Sequence, residues 1–164
     1  MNRSAAEAAM HHLIETVRSV RNIRSELGIP PNAAVSVRVA ADGRGERVIE
    51  LAPYVKALAR VETVELLGAG ERPGGEPSAL VEGLGEIFVR LRGVVDAAEV
   101  RKRLDRDLAK VEKELAAVEA KLQRADFVDR APAEIVDKER QRAGMLRERE
   151  ATLRRHLAVL GEEP

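Results

Sequence analysis

Leu104, Leu108, Val111, Leu115, Val118 and Leu122 alternate spacings of four and three, which is the a/d seam of a two-stranded coiled coil. Val136, Glu139, Ala143, Leu146, Glu150, Leu153, Leu157 and Leu160 fall on the same alternation with weaker apolar content. Laid antiparallel, the two runs close in a single register. Leu104 faces Leu157, Leu108 faces Leu153, Val111 faces Glu150, Leu115 faces Leu146, Val118 faces Ala143 and Leu122 faces Glu139. The turn then centres between Arg130 and Ala131, with the tip near residues 126–132. Each arm runs about 29 residues, or about 40 to 45 Å at the helical rise. Phe127 and Val128 sit where the chain reverses, placed to plug the end of the hairpin, and Pro132 suits the first turn of the returning helix. Asp96 and Glu99 form an N-cap pair that opens the outgoing helix.

The flanking charges agree with this register. Asp105, Asp107, Glu112, Glu114 and Glu119 take the e and g positions of the outgoing helix, and Arg140, Arg142, Arg147, Arg149 and Arg154 take those of the return. Asp105 is expected to meet Arg154, Glu112 to meet Arg147, and Glu119 to meet Arg140. Exposed pairs of this kind specify the partner more than they stabilise it. On the outer c and f positions of the first helix, Arg103, Arg106, Lys110, Lys113 and Arg124 share a face with alanines and no carboxylate. This unpaired stripe is either a solubilising face or a rail for a phosphate backbone.

Upstream the period changes twice. Ser4 and Glu7 form a capping box, so a helix is expected from about residue 5. Leu13, Val17, Val20, Ile23 and Leu27 recur at helical spacing until Gly28, Ile29, Pro30 and Pro31 stop it. Arg18, Arg21 and Arg24 lie beside that stripe, as a solvated flank or as phosphate or domain contacts. VSVRV reads as a strand, ERVIELAPYVKALARV as a strand end or loop leading into a helix, and VETVELL as another strand. GAGERPGGEPS is a loop, and SALVEGLGEIFVRLRG a hairpin turning near Gly83 to Gly85. The expected fold class is α+β: an N-terminal helix (1–32), a small β-α-β-β domain (33–93) and a long antiparallel coiled-coil hairpin (94–164).

Several function classes fall away. Without cysteine there is no disulfide, thiol chemistry or Cys-type zinc site, which fits a reducing compartment. No apolar run is long enough to span a membrane and no signal peptide opens the chain, so a cytoplasmic protein without membrane contact is expected. The loop GAGERPGG has neither phosphate-cradle spacing, nor a helix behind it. His11 and His12 are adjacent and so point to different helical faces, while His156 occupies a g position; no metal or acid/base role is assigned to them. Positive and negative residues balance at 28 each, so any affinity for nucleic acid must come from how charge is distributed. Aromatics are only 2% of the chain, which argues against base stacking and leaves shape and phosphate contacts.

The chain resembles part of the bacterial valyl-tRNA synthetases. IETVRSVRNIRSELGIPP is similar to the family's last anticodon-domain helix and the turn after it. GEIFVRLRGVVDAAEVRKRLDRDLAKVEKEL resembles the entry to its C-terminal coiled coil, and KLQRADFVDRAPAEIVDKER the tip of that coil. Arg124 departs from the pattern, standing where the family commonly has Asn. The resemblance implies a tRNA-binding module that packs on the outer corner of tRNA, where the D and T loops meet, and that carries no chemistry. The class I signatures are absent, so no catalytic residues, cofactors or metal are expected, and the valine-tRNA ligase activity would belong to a parent enzyme. The expected partners are tRNA, chiefly valine tRNA, and the remaining synthetase domains, with no DNA. A start so soon after Met1 suits either a gene start or the edge of an excised piece. The competing reading is a free-standing coiled-coil module for protein interaction without RNA binding. An exposed basic stripe favours RNA, and an open apolar patch favours protein.

Overall fold

The computed structural model describes residues 3–91, 93 and 95–161. Arg92 and Val94, in the stretch expected to lead from the hairpin into the long helix, lie outside the described residues. The chain is α+β and divides into two compact units, Met1–Val100 with Val159–Pro164, and Arg101–Ala158.

In the first unit, α1 (Arg3–Leu27) buries Leu13, Val17, Val20, Ile23 and Leu27. It begins at Arg3, so Ser4 lies inside its first turn instead of capping it. Gly28 ends it as expected: φ is +60°, its N–H donates to the Ser25 carbonyl, and the Ile29 N–H donates to the Arg24 carbonyl at 2.8 Å. That is a Schellman stop, which needs the left-handed residue glycine supplies most readily.

The sheet has the order β2-β1-β4-β3, built from β1 (Val35–Ala41), β2 (Val61–Leu66), β3 (Ser78–Val81) and β4 (Gly85–Arg90). β1 and β2 are parallel, so the segment between them must cross over, and α2 (Gly45–Ala59) does so. β4 runs antiparallel to both β1 and β3. Val37 pairs with Val89 and Val39 with Ile87, and all four are buried. Val48, Leu51, Val55 and Ala59 of α2 complete the core with the apolar stripe of α1. The stretch ERVIELAPYVKALARV, expected as a strand end or loop leading into a helix, is helical from its first residue, within α2 (Gly45–Ala59). The alternation in RVIEL imitates a strand, but Val48, Leu51 and Val55 at helical spacing bury the face that decides the matter. Pro53 is accommodated inside α2. At Gly85, φ is +134° and an added Cβ would lie 2.2 Å from the Ala40 carbonyl oxygen, so only glycine lets β4 start this close to β1.

The second unit contains most of α3 (Ala97–Gln123), all of α4 (Ala125–Arg130) and most of α5 (Ala133–Gly161). Asp96 caps α3 by accepting the Ala98 N–H at 2.9 Å. Leu115, Val118 and Ala143 form a buried cluster against which Leu122 and Leu146 pack, so partners expected from the heptads do share a core. Arg124 and Ala131 are extended and bracket α4, on which Phe127 and Val128 are half-buried. The Pro132 carbonyl accepts the Val136 N–H at 3.2 Å and opens α5.

The cross-helix ion pairs differ from those expected. Glu112 bonds Arg154 and Glu119 bonds Arg147, both at 2.6 Å, so each acid meets an arginine one heptad beyond its expected partner. The cause is the lean of helical side chains toward their own N-terminus. On α3 that lean carries a glutamate away from the turn. On α5 it carries an arginine toward the turn, so the two converge only when the arginine starts further along. Glu114 and Arg142 lie the other way and are separated by 3.7 Å. His156, expected on a flank, is buried beside the seam that holds Leu153.

Candidate nucleic-acid interface

The balanced charge of the chain is unevenly divided. Arg101–Ala158 contains 16 Lys and Arg against 12 Asp and Glu, a net +4, which the rest of the chain cancels. Ion pairing then determines which of these cations remain available. Arg140, Arg142, Arg147 and Arg154 are bonded to carboxylates, the last of them to both Glu150 and Glu112. The Glu150 bond holds the Arg154 guanidinium above its ordinary range.

On α3, Arg106, Lys110 and Lys113 are exposed, and among the described residues none has an ion pair. Lys102 belongs with them. It lies four residues before Arg106 on the same face, and it is exposed and equally unpaired. Heptad lettering hid it, because the strict c/f assignment begins one residue later at Arg103. Together the four cover about 16 Å of helix. Two members of the expected stripe do not fit. Arg103 is half-buried and already engaged by other groups. Arg124 makes a two-pronged pair with Asp126, at 2.8 and 3.3 Å, which pulls the Asp126 carboxyl below its usual range. It sits at the break between α3 and α4, where a carboxylate two residues on can fold back to it.

The three arginines of α1 separate as well. Arg18 is exposed and paired with Glu15 at 2.7 Å. Arg21 donates to the Leu58 carbonyl at 2.7 Å. Arg24 is buried and donates to the carbonyls of Pro30, Pro31 and Ala33 at 3.0, 3.1 and 2.6 Å, with a longer bond to that of Arg60. It therefore leaves the candidate set: it gathers the orphan carbonyls of the Pro-Pro turn, a role visible only once that turn has folded back over it.

The first unit has other features. His12 is buried near Arg44 and Gly83. Burial first, then Arg44, Arg47 and His11, push its imidazole below the ordinary value of 6.5. A cavity of about 800 Å³ is lined by the loop at Arg72–Glu76, Arg38 and Arg90, but Glu76 holds Arg38 and Glu86 holds Arg72. Met10, Ile14, Tyr54 and Leu58 are about half exposed along α1 and α2 and line two concavities that share Met10 and Leu13. Among the described residues no group of His, Asp and Glu could hold a metal ion, and no helix is long and apolar enough to cross a membrane.

Residues 96–161, which contain α3, α4 and α5, match the family described as "Valyl tRNA synthetase tRNA binding arm". The chain is 32% identical over 155 residues to a valine–tRNA ligase of Syntrophotalea carbinolica, covering 92% of this chain and 17% of that enzyme. It is 37% identical over 141 residues to the valine–tRNA ligase of Xanthomonas euvesicatoria, covering 85% and 14%. A valine–tRNA ligase of Francisella tularensis is 35% identical over 145 residues, covering 87% and 15%. The chain thus spans only 14 to 17% of the length of these relatives. Through residues 96–161, the chain belongs to the family of valyl-tRNA synthetase tRNA-binding arms.

Proposed function

We propose that this chain is a tRNA-holding module of the valyl-tRNA synthetase type, carrying no chemistry itself and acting in the cytoplasm. In this reading α3 and α5 form an antiparallel coiled-coil hairpin, and the stripe Lys102, Arg106, Lys110 and Lys113 follows the phosphate backbone at the outer corner of tRNA. The observation that carries the reading is this row of exposed, uncompensated cations on the helix that matches a tRNA-binding arm. Flexible lysines on a rigid helix supply charge without a base-reading geometry, so the module recognises shape and phosphate. Ligation of valine to tRNA is left to catalytic domains of the kind its relatives carry in the rest of their length.

A protein contact is favoured for the other unit. Met10, Ile14, Tyr54 and Leu58 form an open apolar face on α1 and α2, of the kind that packs against a protein, and the remaining domains of a synthetase are the partner we assign to it.

The test is a titration of the purified chain against folded valine tRNA and a length-matched RNA duplex at two salt concentrations, alongside a Lys110→Glu/Lys113→Glu variant. Salt-sensitive binding that prefers the folded tRNA and weakens in the variant is expected. Unchanged affinity in the variant removes the stripe from the account. No binding by the native chain at low salt leaves the protein-docking reading in its place.

A further inference from the structure

Lys121 behaves unlike the cations of the stripe. Its ammonium donates to Glu139 Oε1 of α5 at 2.8 Å and lies 4.7 Å from the centre of the Phe127 ring on α4. A single side chain of α3 therefore reaches both of the helices that follow it. The contact matters because α4 cannot hold its own place: it is six residues long and buries none of them. The backbone holds it at one end by a single long bond, from the Arg124 N–H to the Lys121 carbonyl at 3.3 Å, while Arg124 before it and Ala131 after it are extended. The direction of α4 must come largely from side chains, and Phe127 under the Lys121 ammonium is a contact that ties it to α3 and, through Glu139, to α5. The far end of α4 carries Arg130, which is exposed and has no ion pair among the described residues.

We propose that Lys121 is a positioning residue that, held between Phe127 of α4 and Glu139 of α5, fixes the direction of α4 and thereby aims Arg130 at the RNA phosphates, without touching RNA itself. The proposal rests on the RNA-binding reading above. It differs from the stripe in kind: Lys102, Arg106, Lys110 and Lys113 act by being free, whereas Lys121 acts by being held. Arginine at this position can keep both partners, since a guanidinium also stacks on a ring while bonding a carboxylate. Methionine can keep only the bulk.

The experiment compares Lys121→Met, Lys121→Arg, Arg130→Ala and the Lys121→Met/Arg130→Ala double variant. Two quantities are read: amide exchange along α3 and α4, and the Kd for folded tRNA. Lys121→Met is expected to speed exchange at the Val128 and Ala131 amides by about three- to tenfold, the scale of one exposed ion pair plus one cation–π contact. Exchange at Leu115 and Val118 stays as it was. The Kd rises by a similar factor, Lys121→Arg restores both readouts, and in the Arg130→Ala background Lys121→Met weakens binding no further. Unchanged exchange at Val128 and Ala131 overturns the proposal. So does a Lys121→Met effect that persists without Arg130, which would make Lys121 a direct contact. If the native chain binds no RNA, the functional reading falls and this inference with it. If it binds and Lys121→Met binds equally well, only this inference falls.

Discussion

Removing Lys110 and Lys113 should change both the affinity for tRNA and the way salt acts on it, by an amount that follows from the geometry. Four free cations within about 16 Å can each neutralise one phosphate and release its counterions. At about 0.7 to 0.9 per contact, the intact stripe predicts a slope of about −3 in log affinity against log salt. Lys110→Ala with Lys113→Ala removes two contacts, halving the slope. The loss in affinity is then about 40-fold at 0.1 M salt and about sevenfold at 0.3 M, with the curves meeting near 1 M. Both lysines are exposed and have no ion pair among the described residues, and alanine suits a helix, so stability should stay within about 0.5 kcal/mol. Fluorescence anisotropy across a salt series, with an unfolding curve for each variant, makes the measurement. A double variant that loses affinity with an unchanged slope would refute phosphate contact by these residues, even though binding had weakened.

Gly85→Ala forces a Cβ to within 2.2 Å of the Ala40 carbonyl at a φ of +134°, and should cost about 2 to 6 kcal/mol in urea unfolding. Gly144→Ala in α5, whose added Cβ meets nothing within 4 Å, should stabilise by about 0.5 to 1 kcal/mol. Equal effects at the two sites would contradict the packing described. His12 is held neutral by burial and by Arg44 and Arg47, so its folded value lies below the unfolded 6.5. The unfolded state then binds the extra proton, and stability present above pH 6.5 is lost as pH falls toward the folded value. Unfolding at pH 7.5 and 5 should show a smaller loss for His12→Gln than for the native chain, and identical losses would exclude His12 as a cause. Arg24→Met leaves the Pro30, Pro31 and Ala33 carbonyls without their donor, and thermal unfolding should register about 1 to 3 kcal/mol. In double-mutant cycles Glu112 should couple to Arg154 and not to Arg147, a result that the opposite coupling would reverse.

The end of α1 is legible in the sequence because it is written locally, as a glycine before two prolines. The partners that share the Leu115 cluster follow from spacing alone. The ion pairs do not, because letters assigned to a heptad carry no information on which way a side chain leans. α2 was obscured by an accidental alternation at Arg47–Leu51. Arg24 and Lys121 illustrate the harder limit. Both look like surface cations at helical spacing, and both are claimed by groups beyond the end of their own helix: a Pro-Pro turn that folds back in one case, and Phe127 and Glu139 of the two following helices in the other. Lys102 lies one residue outside the c/f positions, so heptad letters alone do not assign it to the stripe it shares with Arg106.

The order of the small sheet, β2-β1-β4-β3, leaves β2 and β3 at its two borders. β3 is only four residues long and is entered through Pro77, which has no amide proton to offer a neighbour. β2 carries Glu62 and Glu65, so an identical strand brought alongside would set like charges together. Both borders of the sheet are thus guarded against recruiting further copies of the chain into a continuous sheet, and the guard lies in the short strands at its edges.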